Sequence, residues 1–177
     1  RTADGKVRLY AGGGGIGLDA DTVRYASGPL RRFPGALRYA AGALWALRQF
    51  TPLDVTVEFP WGEHGPVTIR ALLAAALNTP TYGAGLRLAP RALPDDGELD
   101  VVLVEQLSTL EVLEVLPRLL QSEEVHMPQI TRWRARGARF SVDRPAMFHG
   151  DGEIQGPAPV EIEVVPHAVR VLTGSAA

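Results

Sequence analysis

From Asp54 to Phe59 the chain alternates, with Val55, Val57 and Phe59 apolar and Asp54, Thr56 and Glu58 polar. A period of two over this length predicts a strand with one buried face. The segment "VTIRALLAAALN" follows after the turn-like "GEHG" and predicts a second, more deeply buried strand that ends near Asn78. Upstream, Val7 to Ala11 reads as a strand entering a glycine run. Leu37, Ala40, Ala41, Leu44 and Leu47 then recur at helical spacing, which predicts an amphipathic helix stopping before Pro52. Downstream, Pro80 to Gly85 reads as a tight glycine-bearing loop and "PDDGELDVVLVE" as a turn and a strand. Ser108 with Glu111 three residues later is a capping-box signature, continued as a helix by Leu110, Leu113 and Leu116. Pro117 should kink or restart that helix. The segments "ITRWRARGARFSV", "AMFHGDGEI", "VEIEVV" and "AVRVL" alternate again. Strands outnumber helices and follow one another through turns. The expected fold is therefore mainly β (α+β), a two-layer antiparallel β-sandwich-like domain over 1–177 with one or two helices.

Composition narrows this picture. Of 177 residues 46% are hydrophobic, enough for a proper core. A net charge of −2 leaves no footprint for nucleic acid, and the absence of cysteine removes disulfides and thiolate metal sites. No apolar run is long enough to span a bilayer as a helix; Ala71 to Leu77 falls far short. The chain opens on Arg1 with no signal-peptide pattern, which suggests a start inside a longer protein.

Gly12, Gly14 and Gly17 in "LYAGGGGIGLDA" satisfy the dinucleotide pattern G-x-G-x-x-G. A phosphate cradle also needs a helix opening directly from the run and a second parallel strand ending in an acid. The following "LDADTVRYASGPLRRFPG" carries glycines and prolines that break a long helix, and the later strands lack the βαβ rhythm. The run reads better as strand glycine, where another backbone approaches closely or φ turns positive.

Two acidic turns are candidates for chemistry. Asp95, Asp96 and Gly97 precede a strand, and such residues make either a plain β-turn or a hard-cation site. Asp151, Gly152 and Glu153 sit between apolar strands beside Phe148 and His149. His149 is a second candidate base at that turn. His64, His126 and His167 have no metal spacing and read as structural. Arg132, Arg134 and Arg136 alternate on one face, with Arg139 nearby: either a solvated strand face or a basic patch for anionic lipid headgroups.

The ordered segments "GIGLDADTV", "NTPTYGAGLRLAPRALPDDGELDVVLVE", "GDGEI" and "EIEVVPHAVRVL" resemble the C-terminal part of the bacterial diacylglycerol kinase-like lipid kinases, a family that includes the sphingosine kinases. The resemblance covers essentially the whole chain. It implies a preceding ATP-binding domain, absent here together with its G-G-D-G-T motif, and ATP-dependent phosphorylation of a lipid hydroxyl such as that of diacylglycerol. It implies Glu153 as the catalytic carboxylate. It also implies a Mg2+ site formed by the carboxylate of Asp96 with the backbone carbonyls of Leu93 and Glu98. A cytoplasmic protein is expected, with contact to the inner membrane face and a homo-oligomeric state both left open. The alternatives are a kinase of another amphiphile, such as a sphingoid base or polyprenol, and a non-catalytic lipid-binding or regulatory β domain.

Overall fold

The computed structural model describes residues 1–28, 32, 41–42, 45–83, 85–121 and 125–170. In these residues nine strands join in one antiparallel sheet. They are β1 (Gly13–Gly17), β2 (Leu53–Glu58), β3 (Val67–Leu77), β4 (Leu99–Glu105), β5 (Ile130–Ala135), β6 (Gly137–Val142), β7 (Met147–Gly150), β8 (Glu153–Pro157) and β9 (Val160–Glu163). The path runs β8-β7-β1-β3-β2-β6-β9, and β4 joins β3 to β5. The expected mainly β sandwich is what the chain forms.

β3 organises the sheet. Its first half, Val67 to Ala71, pairs with β2, and its second half, Leu73 to Leu77, pairs with β1. β4 takes the opposite edge, with a register shift between Ala71 and Leu73. Such irregularities bend a strand and increase its twist, so one long strand serves both halves of the sandwich. The apolar density of "ALLAAAL" follows from this position. Ala71, Ala74 and Ala76 enter one core with Leu99, Val101, Leu103, Val55, Val57 and Phe140. Ala75 and Leu77 enter a second core with Val102, Val104, Tyr82, Val115 and Leu119. Strands covered on both faces lose the alternation that a half-buried strand shows.

Helices flank the sheet, two of them described over their full length. α1 (Leu18–Ser27) opens directly from the glycine strand. α2 (Thr109–Leu120) begins at the expected capping box, where Ser108 Oγ accepts from the Glu111 amide at 3.2 Å and Glu111 Oε2 accepts from the Ser108 amide at 2.7 Å.

Four local expectations are corrected. The first strand is not Val7 to Ala11 but Gly13–Gly17; Val7 and Leu9 stand exposed outside the sheet. A helix does follow the glycine run, so helix-breaking was the wrong ground for rejecting a dinucleotide site. The right ground is that both neighbours of β1 are antiparallel, which leaves no βαβ unit. Pro117 neither kinks nor restarts α2, which runs through it to Leu120. The lost ladder bond falls in the last turn, where few bonds remain to be made. "AVRVL" is not a strand over 168–170, and the rest of it lies outside the described residues. Of the helix expected from Leu37 to Leu47, only 41–42 and 45–47 are described, and they are helical.

Phe140 has no exposed surface and stands between Val57 of β2 and Val160 of β9. Phe140→Ala should therefore destabilise the fold by about 3–5 kcal/mol, read as a lowered urea midpoint at unchanged m-value. A loss under about 1 kcal/mol would mean that the sandwich core does not close on this ring.

Candidate functional site

β1 has almost no side chains, and the site is built around that lack. All five of its residues are buried. A Cβ on Gly14 would stand 2.5 Å from the His149 carbonyl, and one on Gly13 would stand 2.7 Å from Leu77 Cδ2. At Gly15 it would overlap the Asp19 carboxylate and lie 2.7 Å from Tyr82 Oη. Gly17 takes φ +122°, a value that L side chains rarely adopt. These glycines serve close approach between backbones and side chains, as expected of strand glycine.

The space they leave is filled from three directions. Asp19 comes from the first turn of α1, Tyr82 from the loop after β3, and His149 from β7. Tyr82 donates its phenolic proton to Asp19 Oδ2. His149 Nε2 lies 2.6 Å from Tyr82 Oη and 2.9 Å from Asp19 Oδ2. The single phenolic proton is taken by the carboxylate, so His149 is the donor through Nε2–H. Its Nδ1 is buried and has no hydrogen-bond partner among the described residues. Burial first, then the Asp19 charge, pushes the Tyr82 phenol well above its ordinary range, which keeps it a donor. Two residues further along α1 from Asp19, burial also raises the Asp21 carboxyl.

The turn between β7 and β8 is fastened to the same strand. Asp151, at φ +49°, accepts the backbone N–H groups of Ala11 at 2.7 Å, Gly12 at 2.9 Å and Gly13 at 3.1 Å. On the other side of the glycine run, the Asn78 amide donates to the Gly12 carbonyl at 2.8 Å and Asn78 Nδ2 to the Ala11 carbonyl at 3.2 Å. Segments 66 and 139 residues away thus hold one stretch of backbone. Glu153 opens β8 beside this anchored turn. Its side chain is exposed, and its carboxylate makes no hydrogen bond or ion pair among the described residues. His149, the second candidate base, is only 4% exposed, and its Nε2 is committed to Tyr82 and Asp19.

Asp96 lies at the same end of the sheet, ahead of β4. The β4, β3, β1 and β7 strands are successive neighbours, so at about 4.8 Å per strand the two acidic turns stand on the order of 14 Å apart. The structure does not bring Glu153 and Asp96 together. Asp96 Oδ1 accepts the Glu98 amide at 3.0 Å, and Asp96 Oδ2 is bound by the guanidinium of Arg134. The same guanidinium reaches Glu98 Oε2 at 2.9 Å. A Mg2+ ion needs a carboxylate oxygen at about 2.0–2.1 Å in near-octahedral geometry. With both Asp96 oxygens engaged, one of them by a cation, the set Asp96, Leu93 and Glu98 does not fit that ion. Among the described residues no cluster of three His, Asp or Glu side chains could hold a metal either.

Of the arginines expected on one face, three have engaged side chains, while Arg136 is exposed and bonds through its backbone amide to Glu63 at 3.2 Å. Arg132 donates to the carbonyls of Leu88 at 2.7 Å and Val125 at 3.3 Å, and Arg139 lies 3.7 Å from Glu58. Of the other histidines, His64 packs edge-on against Phe59, with its Nε2 3.0 Å from the Arg134 carbonyl. No helix among the described residues is long and apolar enough to cross a membrane.

Sequence alone points to neither Asp19 nor Tyr82, and to Asp151 only as part of an acidic turn, although all three lie inside the segments on which the resemblance rests. The convergence of "GIGLDADTV", "NTPTYGAG" and "GDGEI" on one glycine strand was the available signal.

Comparison with known proteins agrees with this architecture. The family model for the "YegS C-terminal NAD kinase beta sandwich-like domain" matches residues 14–173. A "Diacylglycerol kinase" of Mycobacterium tuberculosis is 30% identical over 143 residues, which are 80% of this chain and 45% of that protein. The "Putative lipid kinase YtlR" of Bacillus subtilis is 32% identical over 167 residues, 90% of this chain and 53% of its own length. A solved structure described as a "putative diacylglycerol kinase" from Bacillus anthracis superposes with a TM-score of 0.63 at 18% identity, covering 89% of this chain and 50% of its own; this likeness shows the fold. The chain spans about half the length of the curated relatives it matches.

If Tyr82 holds Asp19 and His149 in place, Tyr82→Phe leaves buried polar atoms short of a partner and should cost about 1–3 kcal/mol in urea unfolding. Asp151→Ala should speed amide exchange at Ala11, Gly12 and Gly13 selectively, with little change in β2 or β6. Uniform acceleration across the sheet would show that Asp151 anchors nothing local.

Proposed function

Because the chain belongs to the family of YegS C-terminal NAD kinase beta sandwich-like domains, the family of diacylglycerol and related lipid kinases, we propose that it is the acceptor-side half of a lipid kinase. The reaction is transfer of the γ-phosphoryl group of ATP to a lipid hydroxyl such as that of diacylglycerol. The nucleotide is bound mainly by a separate domain. The lipid is met at a membrane surface.

Glu153 takes the proton of the acceptor hydroxyl as its oxygen bonds to phosphorus and ADP departs. The observation that carries this assignment is the contrast within one turn. Asp151 is consumed by three backbone amides and fixes the turn, while Glu153, two residues on, keeps its carboxylate exposed and unpartnered. A general base needs a free lone pair on a positioned side chain, and the anchored turn supplies the positioning. Asp19, Tyr82 and His149 act as support: they fill the volume above Gly15 and hold β7 against β1.

The test is initial-rate kinetics of the whole kinase with diacylglycerol in mixed micelles. Glu153→Gln preserves size and polarity but is not a base, so kcat should fall by about 10²–10⁴-fold with little change in the KM for ATP. Glu153→Asp should fall less, since its carboxylate survives one methylene further back. Near-normal kcat in Glu153→Gln would sink the assignment.

A further inference from the structure

The turn at 95–98 has a feature that the resemblance does not account for. Three acids, Asp96, Glu98 and Asp100, follow at every second position on the way into β4. Arg134 of β5 is the register partner of Asp100 across the β4–β5 ladder. Its side chain is half exposed, and the guanidinium turns back onto Asp96 Oδ2 and Glu98 Oε2. Asp96 is the better covered of the two partners, with its side chain 20% exposed against 40% for Glu98. Asp100 is buried, and burial raises its carboxyl, with Arg134 as the first opposing influence. Gly97 at φ +78° and the Asp96-to-Glu98 amide bond fold the turn so that both carboxylates face the same guanidinium.

We propose that the guanidinium of Arg134 is the resident cation of the 95–98 turn, bridging Asp96 and Glu98 where the resemblance implies Mg2+, so that this turn is ordered without a divalent ion. A guanidinium suits the task. It stays charged at any pH the protein meets, and its planar fork spreads donors over two acceptors. A divalent ion placed on Asp96 Oδ2 would stand in contact with that positive group, so the two cations exclude one another. The inference concerns this turn alone and is independent of the kinase reading; it leaves open whatever metal accompanies a nucleotide.

Two measurements on the chain test it. In the first, Mn2+ as a stand-in for Mg2+ is titrated by electron paramagnetic resonance against the wild type, Asp96→Asn and Arg134→Met. Wild type and Asp96→Asn should bind Mn2+ alike, because no site depends on Asp96. Arg134→Met should bind Mn2+ about tenfold more tightly than wild type, since the carboxylates lose their competitor. In the second, thermal unfolding is followed in EDTA and in MgCl2, with NaCl matching the ionic strength. Wild-type Tm should not respond to Mg2+. Arg134→Met should lose about 2 °C or more in EDTA and recover part of it with Mg2+, and Arg134→Lys should lose less. A wild-type Mn2+ site that vanishes in Asp96→Asn overturns the proposal, and this comparison stands even if Arg134→Met does not fold. An Arg134→Met protein with wild-type Tm in EDTA, or one that gains no Mn2+ affinity, overturns it as well.

Discussion

A strand with almost no side chains, pressed between β3 and β7, sets the terms for the rest of this fold. The glycines of β1 let the His149 carbonyl and Leu77 approach to distances that a Cβ would forbid. Close approach leaves backbone polar groups and empty volume to be dealt with, and buried polar groups need partners. Asp151 and Asn78 supply partners at the entry of the strand, while Asp19, Tyr82 and His149 fill the middle. The polar network is thus the complement of the missing side chains. It also explains why β7 and the loop after β3, far apart in the chain, are held in fixed relation to α1.

Periodicity made β2, β3 and β4 legible because burial writes directly into them: alternation where one face is covered, continuous apolar residues where both are. The capping box at Ser108 and Glu111 was legible for a local reason, since both halves lie within one turn. α1 was not, because Gly28 and Pro29 suggested breakage and ten residues give the helical period little room to appear. α1 packs against β1 and β7, and in proteins the docking of a helix usually contributes more than its own propensity. The network around Gly15 was illegible for a different reason. Asp19, Tyr82 and His149 come from three elements, and no spacing between them carries a period; only the strand order β7-β1-β3 juxtaposes them. The DGE turn was recognised, but for Glu153 alone; Asp151 was read as a turn former because Asp and Gly are what turns use.

Lone pairs then separate the acids of this end of the sheet. Asp151 spends its oxygens on backbone amides, and Asp96 spends one on an amide and one on Arg134. Asp19 receives Tyr82 and His149. The Tyr82 phenol is held protonated by burial and by Asp19, which removes it as a base. His149 has a free nitrogen, but that atom is enclosed where no acceptor hydroxyl reaches it. Asp95 keeps an exposed carboxylate beside the anchored Asp96, but it stands about three strand spacings from the DGE turn. Glu153 combines a free carboxylate with a backbone fixed by the residue two positions before it. A base must be unoccupied in order to accept a proton and immobile in order to accept it from one direction. On the proposed reading the two demands fall to neighbouring acids of a single turn: Asp151 fixes the backbone through its bonds to three amides, and Glu153 keeps the free carboxylate that takes the proton.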